Sequence, residues 1–325
     1  MSDEIFLDEE SCQLKSFEVN NRVDTFDLQE VVNALKQDCV VKVAGVEKKD
    51  ADTFIRKVSS QFGLFENLEK QSLYASIYGH RQSKGQYYMT VNSREDYQYI
   101  PSHSEGTSKA NIQLASLYCI ENTTDGGYSI LSKVTQDDSI WNQLGEYCIK
   151  VQLGSQKPSV QQIEYVKSYF NVDLVKDILV PEDKVIEEID LRALRGKGLI
   201  DNLELRCFHV ISEIPKVRSK ILDRDVFSYW DSVASYDLAS GMGYHRLMQQ
   251  CDLLRGDNVD WRERDNASSR RIWDSGVNYS SIFDCKLKLK LKPKEIVIFN
   301  NLSWTHSATN WTLKSGNRLV LAAFA

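Results

Sequence analysis

Histidine is scarce in this chain: five residues among 325, at positions 80, 103, 209, 245 and 306. A metal site built on two imidazoles therefore has few combinations open to it. The seven cysteines, at 12, 39, 119, 148, 207, 251 and 285, are scattered, odd in number and form no C-x-x-C pair. That spacing offers no zinc knuckle and no disulfide frame, so free thiols in a reducing compartment are expected. No apolar run approaches the ~20 residues of a membrane span. The acidic start MSDEIFLDEES lacks the basic and apolar parts of a signal peptide. A net charge of −6 supplies no basic surface for nucleic acid or anionic membrane. Internal repeats and low-complexity tracts are also missing. The expectation is a cytoplasmic protein whose partner is neither nucleic acid nor membrane.

What is present reads as a globular chain, 42% hydrophobic and 26% charged, long enough to bury a sizeable core. Leu28, Val31, Val32 and Leu35 share helical spacing after Thr25 and Asp27, two cap candidates, which predicts a helix over 27–37. A strand at 39–43 and a helix over 50–62 follow, the latter stopped by Gly63. The polar, tyrosine-rich stretch 64–95 predicts loops and a weak hairpin around 85–88. The run IQLASLYCI (112–120) is apolar at nearly every position and predicts a strand buried on both faces. After the break at Asp125-Gly126-Gly127, residues 128–131 start another strand. Thr135 or Asp137 caps a predicted helix containing Ile140, Trp141, Leu144 and Cys148. Helices are expected at 160–170 and 227–250, short strands at 185–190 and 205–212, and a charged loop at 261–271. KLKLKLK (286–292) alternates strictly, which predicts a half-buried strand with leucines inward and lysines in water. Apolar strands are expected at 296–299 and 318–324. Many short strands, early helices and no βαβ rhythm favour a mainly β core with flanking helices, and an antiparallel double-sheet roll fits that description.

The chemistry concentrates in YIPSHSEGTS. Residues two apart on an extended strand point the same way, so His103 and Glu105 are expected to converge. A neutral nitrogen and a carboxylate oxygen make two-thirds of a 2-His-1-carboxylate site for non-haem Fe(II). His306, in IVIFNNLSWTHSATNW, is the candidate third ligand, just beyond a buried strand and the Asn300-Asn301 turn. Spacing alone cannot bring it to His103, and a solvated loop histidine is the commoner case for such a residue. Arg318 opens the apolar strand NRLVLAAFA, where an unpaired guanidinium is costly to desolvate. An anionic partner is expected there, either a protein carboxylate or a carboxylate of a ligand.

In order along the chain, these features resemble the taurine dioxygenase and clavaminate synthase-like family of Fe(II)/2-oxoglutarate-dependent oxygenases. EVVNALKQDCVVKVAG with the helix ending in FG, PSHSEGTS, LASLYCIENTTDGGYS, KLKPKEIVIFNNLSWTH and NRLVLAAF match its segments in sequence, leaving about 135–285 unmatched. The resemblance implies a double-stranded β-helix, the cupin-like jelly roll, with His103, Glu105 and His306 holding Fe(II). One domain over 1–325 is expected, with a helical and loop insertion within about 135–285. Arg318 would pair with the distal carboxylate of 2-oxoglutarate, and Ser129 would stand near it. The activity implied consumes O2 and 2-oxoglutarate and hydroxylates or desaturates a small polar metabolite such as an amino acid or natural-product intermediate.

Two departures stand out. The family often carries a second arginine four residues after the first, for the C1 carboxylate, and here that position is Ala322. Lys294-Glu295 and Asn300-Asn301 replace the usual Gly-Asp and Asp-Asn. Family halogenases lack the metal carboxylate, so Glu105 favours C–H oxidation without halide. Tyr87, Tyr88, Tyr97 and Tyr99, and the loop arginines Arg270 and Arg271, are candidate substrate contacts, against ordinary strand aromatics and solvated charges. His209 and His245 are expected to be structural. Two other classes stay open: a silent ligand-binding protein on the same scaffold, and a metal-dependent hydrolase using the same ligands.

Overall fold

The computed structural model describes residues 6–7, 13–19, 23, 26–78, 81–91, 100–106, 110–189, 200, 202–229, 238–255 and 271–325. Two sheets dominate. The larger has six strands in the order β2 (Leu14–Glu18), β3 (Val40–Ala44), β14 (Ile296–Asn300), β6 (Leu114–Asn122), β16 (Arg318–Phe324) and β4 (Met89–Thr90). The other has five: β1 (Phe6–Leu7), β13 (Phe283–Leu289), β7 (Ser129–Val134), β15 (Trp304–Ala308) and β5 (Ile100–His103). Among the described residues of these two sheets, β1·β13 and β2·β3 pair in parallel and the other neighbours are antiparallel. A three-stranded sheet, β8 (Glu146–Leu153), β10 (Leu205–Ser212) and β9 (Lys184–Ile189), and a two-stranded ribbon, β11 (Val217–Ser219) with β12 (Arg224–Val226), lie within the stretch unmatched by motif. Helices α1 (Leu28–Lys36), α2 (Lys48–Gln61) and α3 (Phe65–Tyr78) come early. Helices α4 (Asp138–Leu144), α5 (Val160–Phe170), α6 (Leu238–Gln250) and α7 (Arg271–Ser275) come later. Among the described residues no helix is long and apolar enough to cross a membrane.

Apolar periodicity explains the layering. One side of the six-stranded sheet supplies Val41, Val43, Leu114, Tyr118, Ile296 and Ile298 to a cluster with Val31, Leu35, Phe54, Ile55 and Val58 of α1 and α2. Its other side supplies Val40, Ala115, Leu117, Val297, Phe299, Val320 and Phe324, which meet Leu131, Leu287, Leu289 and Trp304 of the five-stranded sheet. Strand β6 contributes to both clusters, which is why its sequence is apolar without alternation. The far side of the five-stranded sheet, with Ile130 and Val134, is covered by Trp141, Leu144, Tyr244, Leu247, Met248 and Ile272 from α4, α6 and α7. The mainly β core with flanking helices is therefore observed.

Local signals account for most boundaries. Asp27 caps α1 by accepting from the Gln29 amide at 2.9 Å, and Asp137 caps α4 through Ser139 at 2.8 Å. Thr25 lies outside the described residues. Three expectations need correction. Residues 65–78 form α3 rather than loop: Glu, Lys, Gln, Leu and Ala favour helix, and Leu68 anchors it in the core. Cys148 lies on β8, because Gly145 at φ +64° ends α4 first. The lysine stripe is only partly solvated. Leu287, Leu289 and Leu291 do point inward, but Lys286 is buried and the Lys290 ammonium donates to the carbonyls of Thr124 and Gly126. Of the expected 227–250 helix, 238–250 is helical, and nearly all of the charged 261–271 stretch lies outside the described residues.

The turn before β7 is sterically exacting. Gly127 has φ +65°, and a Cβ there would stand 2.6 Å from Thr124 Oγ1 and 2.9 Å from Arg318 Cδ. Gly63 has a similar φ of +64° with no heavy atom within 4 Å of such a Cβ. Gly63→Ala should therefore cost only the conformational ~1 kcal/mol. Gly127→Ala should cost about 2–3 kcal/mol because strain and collision add. Urea midpoints of the two variants check the order; equal midpoints would mean that Arg318 does not press on the turn.

Candidate metal centre

The centre is built by the pairing of β5 with β15. In that antiparallel ladder His103 and His306 are direct partners, so their side chains leave the sheet on one face. The two rings are 4.2 Å apart between centroids and tilted by 49°. Leu131 of β7 is the other neighbour of His306 in the ladder and belongs to the apolar layer between the two large sheets. The face carrying both imidazoles thus looks inward.

Glu105 arrives differently from expectation. Strand β5 ends at His103, and Glu105 lies in the following bend, before Gly106 at φ +80°. The bend is held by Asn301, which is fully buried in the β14–β15 turn. Its Oδ1 accepts from the Glu105 amide at 2.9 Å, and its Nδ2 donates to the carbonyls of Glu105 at 3.0 Å and Ile112 at 2.8 Å. The carboxylate then reaches back to the histidines. Oε1 is 3.8 Å from His103 Nε2 and 3.6 Å from His306 Nε2. One donor atom from each residue lies within 4.8 Å of the others, a span that one ion can bridge after small side-chain adjustments. Side-chain exposures of 20%, 17% and 11% for His103, Glu105 and His306 leave the cluster reachable from solvent while mostly enclosed.

The protonation pattern suits a metal. His103 Nδ1 lies 2.9 Å from the Pro101 carbonyl, which can only accept, so that nitrogen carries the proton and Nε2 presents its lone pair. Burial pulls His306 down to about 3, which keeps its ring neutral at physiological pH. Its Nδ1 is buried without a hydrogen-bond partner. Burial pushes Glu105 upward, but the Arg81 guanidinium 3.2 Å away outweighs it, and the carboxyl is held well below its usual range. The donor set is two imidazoles, whose Nε2 atoms face the carboxylate, and the ionised Glu105.

Arg81 was not visible in the sequence as a site residue. Its Nη2 stands 3.3 and 3.2 Å from the two Glu105 oxygens, and its guanidinium lies 5.0 Å over the Phe324 ring. No motif surrounds it, and it is brought in by a hairpin that docks on β16.

Arg318 begins β16, partly buried. Its Nε donates to the Gly127 carbonyl at 3.2 Å and its guanidinium sits 5.9 Å from the Trp311 ring centre. No carboxylate among the described residues forms an ion pair with it. Burial pulls it down to about 10, so it remains charged at neutral pH. Its neighbour Lys290 is lowered by burial and by the Arg318 charge. Asp125, the acid of that turn, is instead engaged by Ser315 and the Thr312 amide, both at 2.9 Å. Ser129 is buried at the start of β7, opposite Ala308, and faces the same side as Leu131 and His306.

The remaining candidates separate. Tyr87 and Tyr88 belong to the cluster behind the six-stranded sheet, with the Tyr88 hydroxyl 2.6 Å from Ser116 Oγ, so they are core residues and not a pocket wall. Arg271 is buried at the start of α7 in the helical layer, rather than in a solvated loop at the centre. Tyr97, Tyr99 and Arg270 lie outside the described residues. Ala322 is buried on β16 opposite Met89. His209 pairs with Glu187 across β10 and β9 at 2.7 Å, a structural role.

No family model matches this chain, and no curated protein matches it. Among solved structures, it is similar to a protein from Burkholderia xenovorans assigned as an alpha-ketoglutarate-dependent 2,4-D dioxygenase, with 11% identity, a TM-score of 0.38, and 96% of this chain and 93% of that chain covered. It is also similar to the non-haem iron oxygenase OrfP in complex with Fe, with 7% identity, a TM-score of 0.40, and coverage of 92% and 79%. A third is an asparagine oxygenase in complex with Fe(II), 3-hydroxyasparagine and succinate, with 10% identity, a TM-score of 0.32, and coverage of 70% and 50%.

Proposed function

We propose that this chain is an Fe(II)- and 2-oxoglutarate-dependent oxygenase, with His103, Glu105 and His306 as the three protein ligands. The observation that carries the reading is a pair of features on facing sheets. Three donors converge on one point, and a charged, partly buried arginine on β16 lacks a carboxylate partner among the described residues. Two imidazoles and one carboxylate suit non-haem Fe(II), leaving open positions for a chelating co-substrate and O2. The fit extends to tautomer and charge, since Pro101 turns the His103 lone pair inward and burial keeps His306 neutral.

When bound, the iron with 2-oxoglutarate and O2 supplies oxidative decarboxylation to succinate coupled to oxidation of a substrate C–H. The chain's own work is placement. Asn301 fixes the Glu105 bend, and β5·β15 fixes the histidines. Arg318 takes the distal carboxylate of 2-oxoglutarate in a charge-assisted contact, with the Ser129 hydroxyl nearby. Phe299, Leu131 and Trp304 line the apolar layer between the sheets and keep water out. The two large sheets are read as the halves of a double-stranded β-helix, in one domain over 1–325 with an insertion within about 135–285. The substrate class is a small polar metabolite, such as an amino acid or natural-product intermediate, which is hydroxylated or desaturated. A hydrolase on the same ligands has no use for Arg318, and a silent binding protein has none for an ionised, solvent-reachable triad.

Anaerobic titration of the Fe(II)-loaded protein with 2-oxoglutarate tests the reading. A weak visible absorption, absent from either component alone, is expected from the chelate. Glu105→Ala and His306→Ala should each lose bound iron. Arg318→Ala should keep its iron and weaken 2-oxoglutarate by about 100-fold, the scale of a buried charge left unpaired. Iron binding without any 2-oxoglutarate response would instead support a ligand-binding or hydrolytic role.

A further inference from the structure

Arg81 is held in place from two directions. The Gln82 amide donates to Thr90 Oγ1 at 2.9 Å and the Thr90 amide to the Gln82 carbonyl at 2.8 Å, closing a hairpin whose β4 pairs with β16. At the other end, Asp52 of α2 accepts from the amides of Gln86, Tyr87 and Tyr88 at 2.7, 2.8 and 3.1 Å. The guanidinium is thereby delivered over Phe324 and against Glu105, with a side chain only 12% exposed.

This position has an electrostatic consequence once a divalent ion is bound, and here the inference rests on the functional reading above. The ion contributes +2, Arg81 +1 and Glu105 −1, while the ligating imidazoles are neutral. Over these described groups the sum is +2, with ion and guanidinium both facing Glu105 in a largely enclosed site. Such a charge is relieved by an anion that touches both cations. A 2-oxo diacid has two carboxylates, and only the one beside the keto group can chelate the ion. Arg318, with its own turn and its own apolar surroundings, serves the far end.

We propose that Arg81 binds the carboxylate adjacent to the keto group of 2-oxoglutarate, so that the two ends of one co-substrate are held by arginines from different parts of the chain. In the metal-free protein it contacts both oxygens of Glu105. In the loaded protein it keeps one Glu105 oxygen and donates to the C1 carboxylate. Ala322, two residues from Phe324 on β16, has no side chain that could serve instead.

The test is anaerobic titration of Fe(II)-loaded wild type, Arg81→Gln, Arg81→Lys and Arg318→Ala, with metal affinity measured separately by Mn(II) titration. Arg81→Gln should raise the 2-oxoglutarate Kd by about tenfold or more. It should also shift the visible band at saturation, because it perturbs the chelating end. Arg81→Lys should recover part of the affinity. Arg318→Ala should raise Kd while leaving the band where it is in wild type. Mn(II) binding without co-substrate should be unchanged or tighter in Arg81→Gln, since a competing cation is gone. A Kd within twofold of wild type in the Arg81 variants overturns the inference. Weaker Mn(II) binding with unaltered 2-oxoglutarate affinity also overturns it, reducing Arg81 to a support for Glu105. A wild type that binds no 2-oxoglutarate overturns the functional reading and this inference together.

Discussion

The register between β5 and β15 is the constraint on which the centre depends. Because His103 and His306 are direct ladder partners, their side chains share a face and a height above the sheet. A slip of one residue would send one of the rings through to the opposite face. The register is itself protected by burial. All five residues of β15 are buried, Trp304 among them, with its indole donating to the Asp38 carbonyl at 3.1 Å. Leu131 and Leu287 press on the same layer from neighbouring strands. The geometry of the ligands is thus set by the packing of the sheets rather than by the local chain around them.

Charge distribution is the second organising element. Glu105 is drawn toward ionisation by Arg81 even though burial opposes it. Arg318 at the start of β16 and Lys290 just beyond β13 surround the Gly126-Gly127 turn, which offers them carbonyls and, among the described residues, no free carboxylate. Two positive regions therefore bracket an apolar interior that holds one anionic ligand group. That arrangement favours a guest that is itself anionic at both ends.

Much of the fold could be read from periodicity and caps. The helices at 28–36 and 160–170 and the strands at 205–212 and 318–324 were predictable because their apolar spacing and terminal residues agree. Helix α3 was not, since its polar, tyrosine-containing sequence shows no regular apolar spacing. The boundary at Gly145 was missed because the apolar pattern runs on past it, and only the positive φ shows where the helix stops. Asn301 looked like a turn residue from sequence. Its part in holding Glu105, 196 residues earlier in the chain, emerges only when the β14–β15 turn is folded against β5.

The sequence by itself determined the donors: a histidine and a glutamate two residues apart, one distant histidine, and an arginine opening an apolar strand. Residue chemistry is local, so it survives without a structure. Tertiary structure decided what those donors do together. It set the two histidines opposite one another, made Glu105 converge from a bend rather than along a strand, and brought Arg81 beside it from a hairpin anchored on β16. It also left Arg318 without an acidic partner among the described residues. These are relations between segments far apart in the chain, and sheet packing alone fixes the distances between them.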